Sequence, residues 1–341
     1  MRIFVYEHVT GGGLAGRPLP RVLAREGLAM RTALIEDLAA IGRHDLVTTM
    51  DARVTCAAPR GVHVVAVAAG RGDRAIDAVI DGADAVWLIA PETGGCLERL
   101  TARIERSGKT VLGPAAAAVR RAADKSRLPR SLARLGIPHP ETSLIDEGVD
   151  ARAAARRLGY PVVVKPARGA GCCGVGLARN PRELAAALDA ADRASGTGRL
   201  VMQRYVSGRA ASVSLLANGR GVVPLAVNAQ RVTASSGFSY RGGVTPFEHP
   251  LATAAAAAAS RTCAAIPGLR GYVGVDLVLT AAGPVVIEVN PRLTMSYLGV
   301  RAVLEENVAA MAIAACRGEL PEVGAVQRRA RFSASGRVRR S

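Results

Sequence analysis

Residues Gly271–Arg292 read GYVGVDLVLTAAGPVVIEVNPR, and the fold turns on this stretch. Two apolar runs, GYVGVDLVL and PVVIEV, flank the short break Ala281-Ala282-Gly283, the pattern of a β-hairpin. A three-residue loop wants a positive φ at its last position, which Gly283 supplies. Closing the turn there sets Thr280 against Pro284, Leu279 against Val285, and therefore Asp276 against Glu288. Directly opposed side chains stand roughly 4.5–5.5 Å apart at Cβ, where like charges repel. Asn290, two residues on, points to the same face. Two carboxylates and an amide oxygen on one apolar face make an all-oxygen set for a hard cation such as magnesium. Arg292 follows Pro291 and can hold a phosphate bidentately. The plainer reading is a solvated hairpin with two incidental acids. The neighbouring valines, leucine and isoleucine argue against it, because unpaired acids are seldom buried.

At 341 residues the chain has room for two or three domains, and 49% hydrophobic content is globular. No run approaches the roughly 18 apolar residues of a membrane span, and the alanine run at 254–259 is too short. MRIFVYEHVT reaches Glu7 and His8 too early for a signal peptide. The six cysteines include no CxxC pair, and the adjacent Cys172-Cys173 suits no zinc framework. The expectation is a reduced, cytoplasmic protein without a membrane partner.

The net charge of +17 invites a nucleic-acid reading. Aromatics at 3% leave few stacking platforms. Six arginines fall in the last fourteen residues, RRARFSASGRVRRS, which reads as a disordered basic tail. Specific nucleic-acid binding is therefore disfavoured, and attraction to phosphorylated substrates is the alternative use of the charge. More telling, only three of the 45 basic residues are lysines: Lys109, Lys125 and Lys165. Lysine is a compact point charge that arginine's planar fork does not replace, so the few that remain mark candidate sites. Lys109, at a strand start, is better read as incidental.

Along the chain, strands are expected at 2–8, 62–68, 84–90 and, weakly, 109–112, with helices at 20–41, 72–80 and 95–106. This alternation indicates a parallel sheet covered on both faces. Its ligand loops would be Gly11–Gly13 and Pro91-Glu92-Thr93-Gly94-Gly95. Past Gly113-Pro114 come a helix, Lys125, and a second helix whose first turn admits Pro129 and whose end is Gly136. A helix near 150–158 precedes PVVVKPA at 161–167, with Lys165 near its end. Gly169-Ala170-Gly171-Cys172-Cys173-Gly174 is formally GxGxxG, yet Val175-Gly176-Leu177-Ala178 looks like a returning strand. A dinucleotide loop needs a helix there, so the segment reads as a glycine-rich flap over phosphates. LVMQRYV at 200–206 is the next strand. A hairpin turning at Asn218-Gly219 follows, then a long polar loop at 228–248, a helix at 250–265 and a closing helix at 297–316.

These segments in this order resemble the ATP-grasp superfamily of carboxylate–amine ligases, over nearly the whole chain. The motifs are a lysine before a GI-P segment, a strand lysine before a glycine flap, a hinge strand, and D…E-x-N-P-R. The resemblance implies an α/β fold: an N-terminal Rossmann-like, pre-ATP-grasp domain followed by a two-subdomain ATP-grasp fold. The expected boundaries are 1–114 for the first domain, 115–200 for the small subdomain with the flap, 201–320 for the large subdomain with the metal hairpin, and 321–341 for the tail. It implies that Lys125 and Lys165 contact the phosphates of ATP beneath Gly169, Gly171 and Gly174, with Lys165 also catalytic. The hinge Gln203-Arg204-Tyr205-Val206 would hold adenine. Asp276, Glu288 and Asn290 would carry Mg2+, with Mn2+ as an alternative, and catalytic Arg292 would steady the transferred phosphoryl group. One departure is Gly208-Arg209-Ala210-Ala211-Ser212-Val213, which lacks the glutamate many members place after the hinge glycine, so the ribose contact must come from elsewhere.

FVYEHVTGGG, ASVSLL, YRGGVTP and NPRLTMSY look most like the tyramine–glutamate ligases of methanofuran biosynthesis. The implied reaction makes an amide from a small-molecule carboxylate and amine through an acyl phosphate. Arg231, Tyr240 and Arg241 in the polar segment are candidate substrate contacts, since an arginine there could clamp a carboxylate. A ligase of other specificity (peptide or D-Ala–D-Ala-like), a carboxylase, and a non-catalytic nucleotide- or nucleic-acid-binding protein are the rivals. A homo-oligomer is compatible with the sequence.

Overall fold

The computed structural model describes residues 1–341 apart from 57–59, 236, 325 and 327. The N-terminal unit alternates β1 (Arg2–Glu7), α1 (Arg21–Ala40), β2 (Asp45–Asp51), β3 (Val62–Val67), α2 (Gly72–Asp81), β4 (Ala85–Ile89), α3 (Cys96–Arg106) and β5 (Thr110–Val111). Its five strands form one parallel sheet in the order β3-β2-β1-β4-β5. Both faces are covered, as a parallel sheet requires: Ile3 and Val5 pack with Leu34 and Leu38 of α1, while Phe4 and Tyr6 pack with Ile76 of α2 and Ile104 of α3. Strand order reverses between β1 and β4, opening a crevice at their carboxyl ends. The sequence reading overlooked β2 because DLVTTMD looks polar. Its threonines are nonetheless buried, their hydroxyls bonding the carbonyls of Val5 and Gly11.

A small lobe follows: α4 (Ala116–Ala122), α5 (Leu128–Arg134), β6 (Thr142–Ile145), α6 (Ala151–Leu158), β7 (Val162–Pro166), β8 (Gly176–Ala178), α7 (Pro181–Ser195) and β9 (Leu200–Arg204). The sheet order is β6-β9-β7-β8, antiparallel throughout, so the small lobe runs on to Arg204. Asp150 caps α6, accepting from the N–H groups of Arg152 and Ala153. β8 returns against β7, so the glycine-rich segment is a hairpin loop and no dinucleotide helix follows it.

The large lobe holds β10 (Arg209–Asn218), β11 (Val222–Ala234), β12 (Phe238–Thr245), α8 (Ala252–Ala264), β13 (Arg270–Thr280), β14 (Gly283–Asn290), α9 (Tyr297–Val303), α10 (Val308–Cys316), β15 (Ala330–Ser333) and β16 (Val338–Arg340). Seven strands pair in the order β14-β13-β10-β11-β12-β15-β16. Three expectations are corrected here. The polar 228–248 segment is largely strand, β11 and β12, with residue 236 outside the described residues. The closing helix is two helices, because Leu304 is extended and Asn307 caps a new start, accepting from Ala310 N–H. The basic tail is not disordered at 330–340, where β15 pairs with β12 and β16 pairs with β15. Phe332 explains it: its ring is fully buried against Gly243 and Gly299, while the arginines face outward. No helix among the described residues is long and apolar enough to cross a membrane.

Candidate functional site

The β13–β14 hairpin sets the site's chemistry by an unexpected route. Its turn is one residue tighter than the sequence suggested, pairing Thr280 with Gly283 and Leu279 with Pro284. A register shift between Asp276 and Leu277 leaves Ile287 as the extra residue, and Asp276 still meets Glu288. Asn290 donates to Asp276 Oδ2 at 3.0 Å, and Gln230, from β11, donates to Asp276 Oδ1 at 2.8 Å.

Two ammonium groups converge on this pair. Lys125 Nζ lies 3.3 Å from Glu288 Oε2 and donates to the Gly169 carbonyl at 2.8 Å. Lys165 Nζ, from β7, lies 3.9 Å from the same carboxylate oxygen. Burial alone would push Glu288 up, but the two lysines outweigh it and hold its carboxyl below the usual range. Burial, and then the charge of Glu288, pushes Asp276 up. Burial also lowers Lys165, to about 8, with Glu288 opposing the shift. Lys109, by contrast, ties to the Asp81 carbonyl on the surface, well away from the site.

Above the hairpin lies a cavity of about 570 Å³ between the small and large lobes. Lys125, Lys165, Asp276 and Glu288 line one part of it, and Gly169 and Gly171 another. Gln203, Arg204, Tyr205, Val206, Arg231 and Arg241 complete the wall among the residues singled out by sequence. Gln203 is held by Thr142 Oγ1 at 2.9 Å, and Tyr205 N–H is engaged by the Pro161 carbonyl. Tyr205 and Val206 both line this wall.

Four predicted residues stand elsewhere. Gly174 is not in the wall; it seats the flap on α7, where a Cβ would meet that of Ala194 at 2.4 Å. Asn290 lies behind Asp276. Tyr240 is half-buried near Asp276, Tyr272 and Glu26, and desolvation, then those neighbours, push its phenol well above its ordinary value. Arg292 faces the N-terminal unit, donating to both carboxylate oxygens of Glu92 at 2.9 and 3.0 Å. Sequence reasoning named the Pro91–Gly95 loop but not Glu92 as this partner, and it gave no sign of Gln230 or Glu26.

The donor set fits a hard dication. Asp276 and Glu288 are opposed like charges, the lysines reach Glu288, and Asn290 would offer its oxygen after a half-turn of its carboxamide. No group of three or more His, Cys, Asp or Glu residues able to hold a metal occurs among the described residues, so this oxygen trio is the candidate. A glycine-rich flap, two lysines and paired acids facing one cleft can neutralise and position a polyphosphate.

Comparison with known proteins accords with this geometry. A family model described as ATP-grasp domain matches residues 122–296, and a pre ATP-grasp 3 domain model matches residues 44–119. A putative ATP-grasp superfamily protein from Archaeoglobus fulgidus aligns with TM-score 0.70 and 24% identity, over 98% of this chain and 92% of that one. A biotin carboxylase from Campylobacter jejuni, crystallised as a β,γ-ATP complex, aligns with TM-score 0.75 and 18% identity, over 96% and 74%. A 68-residue segment, 20% of this chain, is 48% identical to the carbamoyl phosphate synthase large chain of Rubrobacter xylanophilus, covering 6% of that protein's length.

Proposed function

The chain belongs to the ATP-grasp domain family, and from that premise we propose that it is an ATP-dependent ligase that joins a carboxylate to an amine through an acyl phosphate. The observation that carries the reading is Lys125 and Lys165 meeting Glu288, opposite Asp276, beneath the glycine flap. The proposed domains are the N-terminal unit at 1–114, the small lobe from 115 extended to Arg204, and a large lobe that takes in the C-terminal strands β15 and β16.

In this reading ATP lies in the large cavity, its base against the Tyr205 carbonyl and Val206 and its phosphates under Gly169 and Gly171. Lys125 and Lys165 neutralise the phosphate oxygens, exchanging Glu288 for them as the nucleotide enters. Asp276, Glu288 and Asn290 would hold Mg2+, which supplies Lewis-acid neutralisation of phosphoryl charge. The carboxylate oxygen attacks the γ-phosphorus, and ADP leaves with the electron pair of the broken P–O bond. Arg292, oriented by Glu92, steadies the transferred group. Flap closure keeps water from the acyl phosphate. The amine nitrogen then attacks the acyl carbon and phosphate departs, leaving the amide.

The proposed pair is the γ-carboxylate of glutamate and tyramine or a close analogue, as in methanofuran-type cofactor synthesis. Arg231 and Arg241, exposed on the rim of the cavity, are the proposed carboxylate contacts, while Tyr240, outside the cavity wall, is left without a proposed contact. The test is ADP release with Mg-ATP and glutamate, tyramine or both. Release requiring both, with an amide of matching mass, is expected. Release only with another carboxylate and amine would discard the specificity, and no release with any pair would overturn the ligase.

A further inference from the structure

A second, charged crevice of about 40 Å³ lies at the carboxyl ends of β1 and β4, where the strand order reverses. Open parallel sheets bind ligands at this position. Its walls include Glu7, Glu26, Gly171 of the flap and Arg292, so it adjoins the place proposed for the transferred phosphoryl group. Two of its charges are already engaged. Glu7 accepts from the N–H groups of Val9 and Thr10 and from the Thr10 hydroxyl. Arg292 is held by Glu92.

Glu26 is different. It projects from α1, and no hydrogen bond or ion pair engages it among the described residues. Its Oε2 would lie 3.6 Å from a Cβ on Gly171, directly under the flap. A half-buried carboxylate with no hydrogen-bond partner among the described residues is open to an incoming cation. The rest of the wall is apolar, with Val9, Leu23, Met30 and Ile89.

Resting on the ligase reading above, we propose that this crevice receives the acceptor substrate, a primary amine on an apolar stem, and that Glu26 binds its ammonium group and takes a proton from it. The volume suits an ammonium head, leaving the stem along the apolar wall. The step balances. Glu26 accepts one proton from R–NH3+, and the freed lone pair forms the C–N bond at the acyl carbon. The C–O bond to phosphate breaks, its electron pair leaving with phosphate, which takes the second nitrogen proton.

The groups facing Glu26 are Arg292 beyond β14, Cys172 in the flap, Tyr240 on β12 and Glu7 on β1. Burial pushes Cys172 up to about 12 and Tyr240 well above its ordinary value, so both stay neutral. Burial pushes Glu26 up to about 7, with Arg292 opposing the shift. The amine-dependent rate should therefore climb as pH rises through that value and Glu26 loses its proton.

The test compares wild type, Glu26→Gln and Glu26→Asp with Mg-ATP and glutamate, using tyramine or hydroxylamine as nucleophile. Hydroxylamine is neutral near pH 7.5 and needs no base. In Glu26→Gln, kcat/KM for tyramine is expected to fall about a hundredfold, the size of a lost general base. The inflection near pH 7 should vanish with it. Hydroxamate formation should fall far less, and Glu26→Asp should recover part of the tyramine rate. Unchanged kcat/KM for tyramine in Glu26→Gln, or equal losses with both nucleophiles, would overturn the assignment while leaving the ligase standing. A wild type that makes no hydroxamate from any carboxylate would overturn the ligase reading, and the assignment with it.

Discussion

At the scale of single residues, Asp276 and Glu288 share a strand pair but hold opposite electrostatic positions. Glu288 is compensated by two lysines, whereas Asp276 accepts from the Asn290 and Gln230 amides and faces a like charge. Opposite effects on stability follow when no metal is bound. Asp276→Asn removes the repulsion and should stabilise the fold by up to about 1 kcal/mol. Glu288→Gln strands Lys125 and Lys165 and should cost about 1–3 kcal/mol, the value of lost charge-assisted hydrogen bonds. Both variants should abolish ADP release. Thermal melts in a chelator, set beside the ADP assay, check the signs, and a destabilised Asp276→Asn would contradict the repulsion argument. The pairing itself was readable from the sequence, though for an incomplete reason. Gly283 located the turn, but nothing in PVVIEV announces that Ile287 bulges, and a regular ladder from the tighter turn would have misaligned the acids.

At the scale of elements, the flap owes its position to α7 as much as to its glycines. Gly174 has φ +69°, and a Cβ there would meet Ala194 Cβ at 2.4 Å and the Ala190 carbonyl at 3.1 Å. Gly174→Ala should therefore cost about 1–2 kcal/mol for the left-handed backbone, with a further clash lifting the flap from the helix. The KM for ATP should rise about tenfold, a loss of roughly 1.4 kcal/mol in binding. Gly148→Ala is the control: its φ is +83° but nothing lies within 4 Å of the new methyl, so stability should drop without a change in KM. Equal KM in both variants would show that α7 does not set the flap. Flap, hinge strand and metal hairpin were legible because each carries its own local signal, a glycine run, a β-branched run or a turn glycine. The strands β2, β12 and β15 were not. Their burial depends on partners distant in sequence: β2 pairs with β1 and β3, and β15 reaches β12 only because Phe332 fits over two glycines. Composition therefore read an arginine-rich segment as a solvated tail.

At the scale of the whole molecule, the N-terminal unit and the large lobe are joined by buried charge as well as by apolar packing. One hydrophobic cluster runs from Ile3 and Leu34 to Tyr297, Val300 and Phe332, so the units should melt in a single transition. Asp37 of α1 accepts from Arg301 and Tyr297 of α9, and Asn307 donates to its carbonyl. These long-range contacts could not be read from local pattern, because each partner looks like an ordinary surface charge on its own helix or loop. Glu92–Arg292 is the more deeply buried pair, with side chains 2% and 12% exposed. Removing one member of such a pair leaves the other unpaired, at about 3–5 kcal/mol, whereas removing both can be nearly neutral. Glu92→Ala alone should therefore lower the melting temperature more than the double variant Glu92→Ala/Arg292→Ala does. The double-mutant cycle should give an interaction energy of about 1–3 kcal/mol. Arg292→Ala should also reduce ADP release, and Glu92→Ala, which leaves the guanidinium free to turn from the phosphoryl position, should reduce kcat more than the KM for ATP. Stability effects that simply add, with kcat unchanged in Glu92→Ala, would mean that the two units are joined by packing alone and that Arg292 needs no orienting partner.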